Sequence, residues 1–171
     1  ALPYIAFTFL IVGTLVRFFY FERNWTTKSS QFLEKKQLRI ANPLFHFGLL
    51  CVIGGHVVGV LIPKTWTAAI GINDHLYHEG ALYMGAVAGI IFIVGFLLLM
   101  KRRFTVAELK VNTSRLDKWL YLFLTLAIFS GMAGTLLNAS GFFDYRVSIG
   151  PWFRSLLSFM PDPSLMEGVP F

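Results

Sequence analysis

Four apolar runs, each long enough to cross a bilayer, constrain this chain more than any other feature. A spanning helix needs roughly 20 mostly apolar residues to cover ~30 Å of hydrocarbon. The runs cover about residues 3–21 (PYIAFTFLIVGTLVRFFYF), 43–62, 81–100 (ALYMGAVAGIIFIVGFLLLM) and 119–138 (WLYLFLTLAIFSGMAGTLLN). Inside lipid every backbone amide must find its partner within the segment, so each run is expected to be a helix. The fold class is therefore an all-α membrane protein. Composition agrees: 56% of the 171 residues are hydrophobic and 14% are charged, with a mean hydropathy of +0.63. A soluble domain of this length cannot hide so much apolar surface.

Residues 1–171 read as a single membrane domain, truncated at both ends. The chain opens at Ala1 inside an apolar run and stops at MEGVPF. A cleavable signal peptide is not expected, because the first run lacks a basic segment before it and a small-residue site after it. Glycines recur in the spans (Gly54, Gly55 and Gly59; Gly85 and Gly89; Gly131 and Gly134). In membranes such positions let helices, or a flat ligand, come close.

The basic residues are asymmetric. Arg23, Lys28, Lys35, Lys36 and Arg39 follow the first run, and Lys101, Arg102, Arg103, Lys110, Arg115 and Lys118 follow the third. The connection between the second and third runs has Lys64, and the tail has Arg146 and Arg154. The positive-inside rule puts the two basic connections in the cytoplasm, with the N-terminus, the 63–80 loop and the tail outside. The net charge of +6 and pI near 9.7 thus set topology and face anionic lipid or a protein partner. Nucleic acid is not an expected partner. Residues 139–171 form an outer interfacial tail. Its stripe of Trp152, Phe153, Leu156, Leu157 and Phe159 suits a short helix lying in the interface, ended by Pro161 and Pro163.

The second run, NPLFHFGLLCVIGGHVVGVLIP, carries His46 and His56. On a helix, ten residues rise about 15 Å and turn to within about 80° of the starting face. Two ligands so far apart cannot share one ion, but each can serve its own planar cofactor, one in each leaflet. Haem is the natural candidate, since an axial imidazole satisfies both histidine and iron. Gly54 and Gly55 leave room for a ring beside His56. Packing and a proton path remain the alternatives. Cys51 has no second thiol to pair with and reads as core filler.

The stretch NPLFHFGLLCVIGGHVVG resembles the second transmembrane helix of the dihaem cytochrome b (gamma) subunit of respiratory nitrate reductase. LPYIAFTFLIVGTLVRF, WTTKSSQFLEKKQLRIANPLFH and GAVAGIIFIVGFLLLMKRRF line up in the same order. The resemblance covers essentially the whole chain. It implies a five-helix bundle, of which four helices are present here, with the N-terminus outside, in a bacterial or archaeal cell membrane. It implies a quinol-oxidising subunit that passes electrons through two b haems to iron–sulfur and molybdenum subunits in the cytoplasm. It assigns His46 to the haem nearer the cytoplasm and His56 to the outer haem. Their axial partners lie on the family's fifth helix, so haem is expected to be incomplete or absent in this fragment, which alone is expected to be inactive. For the propionates, Arg17, Ser29, Ser30 and Arg103 are candidates, with Ser29 and Arg103 matched by position.

Many family members carry a lysine in the outer loop before the third span, and GINDHLYHEGALYMG has none. His78, at the mouth of that span, is the expected quinol-site residue, since histidine accepts a proton near neutral pH. His75, Tyr77 and Glu79 lie beside it, and Tyr83 and Trp119 suit the interface. The competing readings are a related quinone-linked cytochrome b of another reductase and a non-redox membrane anchor. A small transporter is a weaker reading, because the spans carry few charges.

Overall fold

Every one of the apolar runs is helical, and three of the helices extend well beyond the run that specifies them. The computed structural model describes residues 2–20, 33–141, 144–167 and 169. The chain divides into two units, residues 1–32 and 33–171. In the first, α1 (Leu2–Tyr20) has no buried residue. An apolar helix exposed all round is what lipid, rather than water, tolerates.

In the second unit, α2 spans Lys36–His56 and continues without a break as a π-helical turn, Val57–Leu61. Pro43, where the apolar run begins, sits inside α2. The helix starts seven residues, nearly two turns, earlier, and Arg39 N–H already donates to the Lys35 carbonyl at 3.0 Å. A short helix, α3 (Lys64–Ala69), follows Pro63 and stops at Gly71, whose φ of +82° glycine adopts without a Cβ clash. Next, α4 (Asp74–Thr105) runs for 32 residues, capped by Asn73 Oδ1 accepting from Leu76 N–H at 2.8 Å. At 1.5 Å per residue it is about 48 Å long, so its ends project past the hydrocarbon. After α5 (Ala107–Val111) comes α6 (Arg115–Ala139), opened by a reciprocal cap between Ser114 and Asp117. The tail supplies α7 (Ile149–Leu157) and a 3₁₀ turn, Pro163–Met166. Four of these segments are long and apolar enough to cross a membrane: Leu2–Tyr20, Lys36–Leu61, Asp74–Thr105 and Arg115–Ala139.

An antiparallel α2–α4 hairpin organises the second unit. Gly48 lies against the backbone of Phe92, and Gly95 against the backbone of Leu44 and Phe45; a Cβ at either glycine would overlap those atoms. Ala41, Ala88, Phe92 and Phe96 are buried along the seam. Without a hydrophobic drive between helices in lipid, such close backbone approach and its dispersion contacts supply the adhesion. One end of the hairpin is tied by Arg102, whose Nε donates to Glu34 Oε2 at 2.7 Å and whose Nη2 donates to the Glu34 carbonyl at 2.6 Å. Glu34 also accepts from the Gln37 amide, and with Arg102 this holds its carboxyl below the usual range. Helix α6 is joined to α4 by Arg103 Nη2 donating to Asp117 Oδ2 at 2.6 Å, and by Tyr121, whose ring lies 5.7 Å from Phe104 and 6.1 Å from Phe96.

At the other end the tail folds onto the π-helical turn. Gly59 faces the Tyr145 ring, and Arg154 Nη1 donates to the Val60 carbonyl at 2.6 Å. A π turn displaces its carbonyls from the regular ladder, and this guanidinium satisfies one of them. Burial pushes the Tyr145 hydroxyl well above its ordinary pKa, so it stays protonated.

Candidate functional site

Helix α2 presents both histidines in the same way. His46 Nδ1 is 2.9 Å from the Asn42 carbonyl and His56 Nδ1 is 2.7 Å from the Val52 carbonyl. A carbonyl accepts only, so each Nδ1 carries the proton and donates. That tautomer leaves Nε2 with its lone pair, as an axial metal ligand requires. Both rings are exposed on the chain. Among the described residues nothing lies within 4 Å of a Cβ built at Gly54 or Gly55, the positions just before His56. Among the described residues no three His, Cys, Asp or Glu side chains cluster as a metal site. Ten residues apart on one helix, a rise of about 15 Å, the two imidazoles suit separate axial positions and not a shared ion. His56 is also the last α-helical residue before the π turn, a distortion that frequently marks functional positions.

The other expected residues fall in different places. Arg17 lies on α1, in the first unit. Ser29 and Ser30 lie outside the described residues. Arg103 is held by Asp117, and its Nε is buried without a partner among the described residues. Tyr83 and Trp119 are exposed, as interface residues would be.

His78 lines an open pocket of about 370 Å³ together with Lys64, Asp74, His75, Asn138 and Asp144. This brings the 63–80 connection, the start of α4, the end of α6 and the tail to one place. Lys64 Nζ donates to Asp144 Oδ2 at 2.7 Å and lies 3.5 Å from Asp74 Oδ2. Those carboxylates raise the Lys64 pKa. Burial works against the ionised Asp144, yet Lys64 and the Arg146 amide outweigh it and keep its carboxyl below the ordinary range. Arg146 is buried; it donates to Thr67 Oγ1 at 3.0 Å and Asp74 Oδ1 at 3.3 Å, and lies 3.6 Å from the Tyr77 ring centre. His75 Nε2 is 3.6 Å from Glu79 Oε1. Sequence reasoning found His78 but not Asn138, Asp144 or the role of Lys64. The available signal was the DYR triplet, Asp144 and Arg146 flanking Tyr145 in the mixed tail.

The family described as nitrate reductase gamma subunit matches residues 1–171. The chain belongs to this family. It is 45% identical over 170 residues to the nitrate reductase gamma chain of Bacillus subtilis, covering 99% of this chain and 76% of that one. It is 40% identical over 171 residues to the nitrate reductase-like protein NarX of Mycobacterium tuberculosis, spanning 26% of that longer protein. It is also 31% identical over 115 residues to the respiratory nitrate reductase 1 gamma chain of Escherichia coli, covering 67% of this chain and 51% of that one. Membership in the gamma family and the four apolar helices make this a multi-pass membrane subunit of nitrate reductase.

Proposed function

We propose that this gamma-family chain is the cytochrome b subunit that oxidises quinol at the outer face and passes electrons toward iron–sulfur and molybdenum subunits in the cytoplasm. The observation that carries the reading is the matched pair of imidazoles on α2, each with Nδ1–H donating to a carbonyl four residues back and Nε2 left with a lone pair to ligate a metal. His46 and His56 would each supply one axial ligand to a b haem. When bound, the haems supply one-electron transfer across the membrane. The chain's own part is to fix the two imidazole tautomers, to leave space at Gly54 and Gly55 for a flat ring, and to handle the protons.

Quinol oxidation releases two protons, and an acceptor near neutral pH is needed where the hydroxyls sit. His78, half-buried in the pocket, suits that role. Asp144 does not, because Lys64 and Arg146 keep it ionised. Lysine and arginine asymmetry supports basic connections in the cytoplasm and this pocket outside. Arg17, Ser29 and Arg103 remain the proposed propionate partners.

The test is quinol-driven reduction of b-type absorbance in membranes containing the assembled reductase. Wild type is expected to be reduced by a naphthoquinol and reoxidised by nitrate. His78→Phe should slow the quinol step at least tenfold while chemical reduction by dithionite is unchanged. A wild-type complex whose absorbance ignores both quinol and nitrate would rule the proposal out.

A further inference from the structure

The carboxamide oxygen of Asn138 is buried and has no hydrogen-bond partner among the described residues, yet Asn138 lines the same pocket as His78. A buried acceptor left unmatched is costly, of order 1–3 kcal/mol, so such groups normally have a donor in the working protein. Apart from His78, assigned above to proton acceptance, the polar side chains around Asn138 in the pocket are already engaged. Lys64 is held by Asp144 and Asp74, Asp74 also receives Arg146, and His75 faces Glu79. The pocket is open and large enough to admit a ring-sized ligand. With these groups engaged, an occupant that carries hydroxyls is suited to supply the missing donor.

Resting on the quinol reading above, we propose that Asn138 is a second substrate contact: its Oδ1 accepts a hydrogen bond from one hydroxyl of the bound quinol. A carboxamide does not titrate near neutral pH, so Asn138 takes no proton. It holds one hydroxyl and orients the ring, and proton acceptance stays with His78. A quinone has no hydroxyl to donate, so the contact is lost on oxidation. Asn138 thereby favours entry of the reduced form and release of the oxidised one.

Kinetics on the assembled reductase separate these roles. Asn138→Leu removes the acceptor at similar volume and should raise the KM for a naphthoquinol roughly three- to tenfold. Its kcat should change far less, and the pH profile of kcat should stay where it is in wild type. Asn138→Asp, which keeps an oxygen there, should recover most of the KM. Dithionite-reducible haem at the wild-type level confirms that each variant is assembled. As a check on unmodified protein, the dimethyl ether of the same quinol, which lacks both donors, should compete at least tenfold more weakly than the quinol. An unchanged KM in assembled Asn138→Leu, or equal competition by the ether, overturns the proposal while leaving quinol oxidation intact. Wild-type protein that oxidises no quinol overturns the parent reading and this one with it.

Discussion

At the scale of single residues, helix packing and ring space call on glycine for different reasons. Gly48 and Gly95 are small because backbone from the neighbouring helix occupies the place of a side chain. Gly54 and Gly55 have nothing within 4 Å of a built Cβ among the described residues, so packing among those residues does not explain them. The two classes predict opposite outcomes. Gly48→Leu forces α2 and α4 apart, which costs at least the ~1–3 kcal/mol typical of overpacking, and should lower the melting temperature in detergent and the yield of assembled protein. Gly55→Leu should leave both unchanged and instead deplete the haem signal assigned to His56. Thermal unfolding paired with a visible spectrum of each variant distinguishes the cases. A Gly55→Leu protein with full haem content would remove the argument that this glycine makes room for the ring.

At the scale of elements, the long spans and the short tail helix α7 could be anticipated, and the short helices α3 and α5 could not. Some 20 apolar residues in lipid have no alternative to a helix, which is why α1, the apolar part of α2, α4 and α6 were expected from hydropathy. Short helices such as α3 and α5 are fixed by what they touch. Leu109 of α5 is fully buried, and Thr67 of α3 is buried beneath Arg146. The apolar run begins at Pro43, but the seven residues before it, which include two charged side chains, already belong to the helix. The histidines were legible because local spacing on one helix decides their separation. The pocket around His78 was legible only in part, since it joins Lys64 to Asp144 across 80 positions of sequence.

That clasp has a defined pH range. The Asp144 pKa is depressed below the ordinary 3.8, so its contribution is present above that value and is lost as pH falls through the folded-state value. The Lys64 pKa is raised above 10.5, so its contribution is present below that value and is lost at higher pH. The side chains are partly exposed, and such pairs are worth ~0–1 kcal/mol. The loosening is therefore local. Hydrogen exchange of amides 144–150, corrected for intrinsic rates, should stay slow between these limits and rise below pH ~3.8. In Lys64→Met it should be faster throughout, by up to about fivefold. Exchange that is equally slow in Lys64→Met would show that Arg146 and Arg154 hold the tail without Lys64.

At the scale of the whole molecule, the uncovered apolar surface calls for a bilayer, and the basic asymmetry predicts an orientation in it. Helices α1 and α6 have no buried residues, which leaves their faces for lipid or for other subunits. With Cys51 replaced by serine, single cysteines at exposed Ala69 and Ala107 report the two ends of the hairpin. An impermeant maleimide added to intact cells should label Ala69→Cys and spare Ala107→Cys until the membrane is opened. The reverse pattern would invert the topology and with it the placement of the quinol pocket.

The central claim is that α2 carries one axial ligand for each of two b haems. Its most direct test is the reduced-minus-oxidised visible spectrum of the purified complex, with haem counted per gamma subunit. Two b-type haems are expected in wild type, with His46→Ala and His56→Ala each retaining one haem, and a different one. An assembled complex without haem absorbance, or both haems surviving either substitution, would contradict the account.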